Sequence, residues 1–507
     1  MDTINRLTTL FLITTSIWAA DFQSGQAARV VIGQPSFTAR EAGISPTTLV
    51  VLNNRLYVAD TAGRLLTFDP SKIPSVKDDF AGSQGSECAV CGFSPLAAVD
   101  QPVFQGIAAV SVFGKTVAVA DTQNHRILIW RDVSAPHASQ APDVVLGRAT
   151  RELSAISASS IVEPVSVVFD GKRLFAGDAA LHRVLVWNSL PAIDNQPADA
   201  VLGQPNFTSV SASDNPGPET IGRPAALASD GVNLFVGDTV NRRILVFTSA
   251  DAPLSNRAVL NSASLSDGPI APGTLITIDG SNFSDASESA PDGDMERLPR
   301  SLAGVQVVLD GVALPLLAAS PSEVRAQVPY SLGNASAGSL YLRSERKDGS
   351  VTVTNAVSVR FVAGSPGLFA FGGMEPRSGL ILHSDPNAPD QPGIPVTAEN
   401  PAKPGEVIVL WAGGLGAVND VDSDSGALAG VPYDGPDAPI LNAASAFVGG
   451  RPAQVLSATL PRQAIGVYEL RILLPDDLPS DPKTPLAVEQ DGFVSNTVTI
   501  PVQNTIH

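Results

Sequence analysis

The chain has 507 residues, more than a single core accommodates, and at roughly 150 residues per domain it calls for about three units. Hydrophobic residues make up 44%, yet aromatics are only 6% and charged residues 16%, against 43 glycines and 41 prolines; few helix-surface charges and many turn formers point to short strands and an all-β fold. The formal net charge of -18, from 50 acidic against 32 basic residues, leaves no phosphate-neutralising stripe and excludes nucleic acid and anionic membrane surfaces as expected partners.

Residues 1–20 read as a signal peptide. Arg6 precedes the uncharged run LTTLFLITTSIWAA, which ends in small residues suited to cleavage near Ala19 or Ala20 and is shorter than the roughly 20 apolar residues of a membrane span. The expectation is an exported protein, periplasmic, surface-bound or secreted, with no membrane span once the signal is removed.

Residues 28–255 carry a four-fold repeat. Its copies are SPTTLVVLNNRLYVADTAGRLLTFD (45–69), GIAAVSVFGKTVAVADTQNHRILIW (106–130), PVSVVFDGKRLFAGDAALHRVLVW (164–187) and PAALASDGVNLFVGDTVNRRILVF (224–247). Each reads as three antiparallel strands, with an Asp after the second and an Arg opening the third: Asp60 with Arg64, Asp121 with Arg126, Asp178 with Arg183, Asp238 with Arg243. As polar residues fixed at a repeated turn, these pairs are expected to cap turns and join strands, and His125 and His182 to brace the same turn.

A further piece recurs between the meanders: RVVIGQPSFT (29–38), DVVLGRAT (143–150) and DAVLGQPNFT (199–208), with VKDDFAGSQ (76–84) as a degenerate copy. Four strands per unit at a period of about sixty residues suggest propeller blades. The chain starts with a lone VIGQ strand and lacks one after Phe247, so the first strand could complete the last blade and close a small four-bladed ring; the alternative is an open array.

Cys88 and Cys91 are the only cysteines. In an exported chain the spacing suits a small disulfide loop; there is no following His for haem attachment and no second pair for zinc. The runs ADTQNHRILIW, GDAALHRVLVW and GDTVNRRILVF, with the intervening VVLG strands, resemble the NHL-repeat β-propellers over about residues 28–250. That resemblance implies a binding platform of loops on one face. Some relatives are metal-dependent lyases that use His ligands; here only His125 and His182, of five His, fall at repeat positions.

Beyond residue 256 the period disappears. APGTLITIDGSNF, a strand ending in V-x-L-D-G and the later PSEVRAQVPY resemble the TIG/IPT immunoglobulin-like modules that follow NHL-type propellers in secreted bacterial proteins. The first module is assigned to 257–364 and a second to 365–505. The second rests on an internal duplication, in which Pro404-Gly405 before EVIVLWAGGLG parallels Pro272-Gly273 before TLITIDG, and FVGGRPAQVLSA parallels VLDGVALPLLAA. The expected fold is thus all-β: an NHL-like propeller and two immunoglobulin-like sandwiches.

Asp420, Asp422 and Asp424 alternate in NDVDSDSG as calcium ligands do, but the glycine falls one residue late and Val431 stands where a closing Glu belongs, so calcium is a secondary alternative to a solvated acidic turn and no cofactor is expected. No phosphate cradle, nucleophile elbow or paired-His motif occurs. The sequence therefore favours a non-catalytic binding protein that presents loops such as 205–219 to a protein or glycan. The alternatives are a metal-dependent propeller enzyme, a lyase or lactone hydrolase, and a structural component of the envelope or matrix.

Overall fold

The computed structural model describes residues 21–41, 43–52, 55–61, 64–69, 73, 97–100, 109–132, 141–147, 155–212, 215–291, 297–385, 388–419 and 429–504. The protein is all-β, built of antiparallel sheets. Residues 1–20, Cys88, Cys91, Asp420, Asp422, Asp424 and the run 76–84 lie outside the described residues.

Four four-stranded sheets occupy the first half. The first runs Pro46–Leu52, Arg55–Asp60, Arg64–Phe68, Ala97–Asp100, and the second Val110–Phe113, Thr116–Asp121, Arg126–Trp130, Val144–Gly147. The third runs Pro164–Phe169, Leu174–Asp178, Arg183–Trp187, Ala200–Leu202. The fourth is Pro224–Ser229, Asn233–Asp238 and Arg243–Thr248, completed by Val30–Ile32 from the other end of the chain, with Val31 opposite Leu245. The outer strand of the first sheet is thus Ala97–Asp100, where the sequence reading had placed 76–84.

Two turns recur because two backbone conformations recur. Asp-Gly closes the first hairpin in the third and fourth sheets, with Gly171 and Gly231 at φ 96° and 90°, the left-handed geometry a tight hairpin demands. In the second, third and fourth sheets the second hairpin has a non-glycine residue in that region: His125 at 55°, His182 at 52° and Arg242 at 53°. This costs on the order of 1–2 kcal/mol per residue, and the Arg that follows is buried in the third and fourth sheets.

Neighbouring sheets pack face to face. Ala118, Ile127 and Ile129 of the second share a core with Val167, Phe169 and Trp187 of the third. Phe175 and Val186 on the other face of the third meet Leu227, Val236 and Phe247 of the fourth. Phe235, Ile244 and Val246 of the fourth meet Leu49, Leu56 and Leu66 of the first. Strands covered on both faces read as continuous apolar runs such as RVLVW and RILVFT, buried throughout.

The chain then passes without a loose linker into a two-sheet unit. Leu254 is buried, and Asn355 both accepts from its N–H (2.6 Å) and donates to its carbonyl (3.0 Å). One sheet includes Leu275–Asp279, Leu316–Ala319 and Glu323–Gln327, and the other Val305–Leu309, Ala337–Glu345 and Val357–Arg360. Ile276, Val324, Val307, Leu342 and Val359 form one core between them.

The last unit is a single continuous sheet bent over one core that includes Ile408, Leu410, Tyr468, Leu470, Val488 and Ile500. The bend is made by the ten-residue strand Arg451–Leu460, which pairs with Ser445–Val448 at its start and Tyr468–Leu473 beyond, with a register shift between Val455 and Ser457. Gly273 and Gly405, the parallel Pro-Gly turns of the two units, have φ of 75° and 77°, and the parallel hairpins turn at Asp310-Gly311 and Gly449-Gly450, all four at positive φ.

Candidate functional site

The repeated polar turn gathers charged side chains of both signs at equivalent positions in several sheets. In the fourth sheet the Asp238 carboxylate accepts four hydrogen bonds. One oxygen takes the N–H of Gly222 (3.0 Å) and Arg223 (3.1 Å), and the other takes Asn241 Nδ2 (2.8 Å) and Arg243 Nε (3.0 Å). Arg243 also donates to the carbonyls of Phe37 and Thr220. Both side chains are fully buried, and burial lowers the Arg243 pKa while the Asp238 charge opposes the shift.

In the third sheet Asp178 accepts from the N–H of Val162 (3.0 Å) and Glu163 (2.9 Å), and Arg183 donates to the carbonyls of Phe207 (2.7 Å) and Ser160 (2.8 Å). Leu181 stands where the fourth sheet has Asn241, the two charges are not hydrogen-bonded to each other, and Arg183 Nε is buried without a partner. Burial raises the Asp178 pKa and lowers that of Arg183.

The second sheet keeps the ion pair at the surface. Arg126 Nε lies 2.8 Å from Asp121, with the side chains 35% and 23% exposed, and Asn124 donates to both Asp121 oxygens at 2.9 Å. In the first sheet Asp60 is buried; the side chain of Arg64 is outside the described atoms.

The same turns tie each sheet to the next. Thr122 Oγ1 donates to the Pro164 carbonyl (2.5 Å), and Thr239 Oγ1, at the equivalent place, to that of Pro46 (3.1 Å). His125 Nδ1 meets the Val162 carbonyl, and His182 Nδ1 meets that of Gly222 at 2.5 Å. Both imidazoles thus brace neighbouring sheets.

Sequence reasoning missed the glutamines of the recurrent G-Q-P. Gln34 Nε2 donates to the carbonyls of Arg242 (3.1 Å) and Glu41 (3.0 Å), and Gln204 Nε2 to those of Leu181 (3.3 Å) and Ser211 (2.9 Å). Each clamps the left-handed turn against the loop that follows. Their shared offset after the outer strand was the available signal; the second copy has Arg148 there. Also unforeseen is the buried pair Arg173 and Asp170 (3.1 Å), with the guanidinium 5.1 Å from the centre of the Phe22 ring.

The exposed side of this framework is the loop 205–219. Asn206 Oδ1 accepts from the N–H of Thr208 and Ser209, both at 3.0 Å, which fixes the loop's first turn, and Asn206, Thr208, Ser211 and Asn215 are exposed. Among the described residues no group of three His, Cys, Asp or Glu is placed to hold a metal ion, and no helix is long and apolar enough to cross a membrane.

No family model matches the chain and no curated protein matches it. Solved structures similar to part of it include the computationally designed Ika4 protein, at 12% identity over 43% of this chain and 99% of that one, with a TM-score of 0.18. Myxococcus xanthus glutaminyl cyclase matches at 12% identity over 44% and 98%, TM-score 0.18. The fibronectin(III)-like modules of Clostridium thermocellum CbhA match at 13% over 48% and 95%, TM-score 0.13. Likenesses this distant carry no argument about fold or function.

Proposed function

We propose that this is an exported, non-catalytic binding protein: an NHL-like β-propeller presenting loops to a protein or glycan, carried on two immunoglobulin-like modules that serve as spacer or docking unit. The propeller reading is supported by one linkage used repeatedly, sheet two to three, three to four and four to one, through the Thr hydroxyls and His rings of the second hairpin. The observation that carries the binding role is the division between framework and loop. Asp238, Arg243, Asp178 and Arg183 are buried and engaged within the fold, whereas the connectors between sheets differ in length and the described part of one, 205–219, places Asn206, Thr208, Ser211 and Asn215 in solvent.

The test uses the intact protein on an array of defined oligosaccharides and a panel of purified extracellular proteins, beside a variant with residues 210–215 replaced by Gly and Ser at equal length. The expected result is at least one saturable interaction that the variant loses with its thermal midpoint unchanged. Turnover of an arrayed compound, or equal binding by the variant, overturns the reading.

A further inference from the structure

The two C-terminal units carry one charged motif at the same place. The run EVRAQVP (323–329) of the first parallels ELRILLP (469–475) of the second. Each pairs with the strand that follows its unit's Pro-Gly turn, and in the same register. Glu323 lies opposite Asp279 and Arg325 opposite Thr277; Glu469 lies opposite Trp411 and Arg471 opposite Val409. The intervening Val324 and Leu470 belong to the cores, so the two-residue period of a strand sets the charged residues and their opposite numbers on the outer face. The surroundings of the two pairs differ. Arg325 Nε is 3.3 Å from Glu323, with side chains 51% and 47% exposed, whereas Arg471 Nε is 2.8 Å from Glu469, with side chains 17% and 11% exposed.

Their neighbours differ too. Asp279 is exposed, whereas Trp411 is half-buried, as is Leu382 on the other side of Val409. An indole thus stands beside a largely desolvated ion pair, on a face the core does not use. Among the described residues, Glu469 Oε2, the Arg471 η nitrogens and the Trp411 indole N–H have no hydrogen-bond partner within the fold, and none of them is sealed from solvent. Polar groups withdrawn this far from water and left unpaired call for a partner, and the low local dielectric strengthens the bonds they make with it. Chemistry decides the kind of partner. The Glu469 and Arg471 charges cancel, which selects a neutral molecule. An acceptor oxygen beside N–H donors suits hydroxyls, which both donate and accept. The indole offers a flat apolar surface for the C–H face of a ring. A neutral pyranose satisfies all three conditions.

We propose that the outer face of the last unit around Trp411 is a binding site for neutral saccharides, with the sugar ring against the indole and its hydroxyls bonded to Glu469 and Arg471. The first unit, with Asp279 in place of Trp411, lacks the platform. The site does not depend on the propeller loops. The test runs the full-length protein through native gels containing a soluble β-glucan, a xylan or a galactomannan, beside W411A, W411F and R325A. Retardation by at least one polysaccharide is expected, weakened at least about tenfold in W411A with its thermal midpoint unchanged. W411F should keep part of it, and R325A, which alters the matching pair of the first unit, all of it. Retardation by none of the three, or equal retardation of W411A, overturns the proposal. The variant with residues 210–215 replaced should still be retarded; if it alone loses retardation, the ligand belongs to the loops and the Trp411 site falls.

A second readout needs no variant. The retarding polysaccharide should protect Trp411 of the unaltered protein from oxidation by N-bromosuccinimide, read by peptide mass spectrometry, while Trp187, which is fully buried, stays unoxidised with or without it. Equal oxidation of Trp411 in the presence and absence of the polysaccharide overturns the proposal.

Discussion

At the scale of single residues, one motif does different work according to its surroundings. Removing Arg243 leaves the Asp238 carboxylate buried without its cation, and losing one partner of a buried pair costs about 3–5 kcal/mol; R243M should therefore lower stability by that order in denaturant unfolding. D121N removes a half-exposed pair and should cost no more than about 1 kcal/mol. The left-handed turn gives a finer contrast. R242G relieves the αL cost at an exposed side chain and should leave the thermal midpoint unchanged or raise it, whereas H182G loses the bond to Gly222 and should lower it. A lower midpoint for R242G than for H182G would contradict the bracing role.

Asp310, at the hairpin turn of the first C-terminal unit, has its pKa pushed up to about 7 by burial, against a Ser339 N–H bond that lowers it. The unfolded value is about 4, so the folded chain holds a proton that the unfolded chain releases. Its contribution to stability is complete below about pH 4 and is lost as pH rises to about 7. Since the residue keeps some surface, the loss is on the order of 1–2 kcal/mol. The stability difference between wild type and D310N should shift by that amount in favour of D310N between pH 4 and 7, and a flat difference would refute the assignment.

Among elements, the N-terminal strand Val30–Ile32 supplies the outer edge of the fourth sheet, and the segment before it is buried at Phe22, Ala27 and Ala28. V31D should expose that edge and cost at least about 2 kcal/mol, with loss of amide protection along Arg243–Thr248. An adjacent contrast concerns glycines. A Cβ at Gly273 would lie 2.3 Å from the Tyr330 ring, whereas at Gly450 it meets open space, and both residues have φ of 75°. G273A should therefore be much more damaging than G450A, whose cost is the backbone alone, about 1 kcal/mol.

Much of this level was legible in the sequence. The all-β class followed from turn formers and repeated strand patterns, and NLFVGD and RRILVF correspond closely to the strands Asn233–Asp238 and Arg243–Thr248. The pairing of the first strand with the last meander followed from phasing. What the sequence did not show is which charges are joined: the Asp-to-Arg spacing is the same in the third and fourth repeats, yet the guanidinium of Arg183 bonds carbonyls instead of Asp178. Nor could spacing reveal that Gln34 and Gln204 clamp the turns, since their partners come from the preceding hairpin and the following loop.

For the whole molecule, polar contacts join the three parts at both boundaries. Asn355 clasps Leu254 at the first boundary; at the second, Asn261 Nδ2 donates to the Ser365 carbonyl (3.1 Å), and Gln327 Oε1 accepts the Gly430 N–H (2.7 Å). N355A leaves the Leu254 N–H without its acceptor and should cost about 1–3 kcal/mol. Calorimetry should then separate the melting of the first half from the rest, and an unchanged profile would show that the boundary does not couple them.

The central claim is that the repeated charges belong to the framework and not to metal or ligand chemistry. Its most direct test is elemental analysis of the full-length protein purified without chelator, together with the thermal midpoint in the presence and absence of EDTA. The account predicts no stoichiometric metal and an unmoved midpoint. About one zinc or calcium per chain, with a midpoint that falls on chelation, would contradict it.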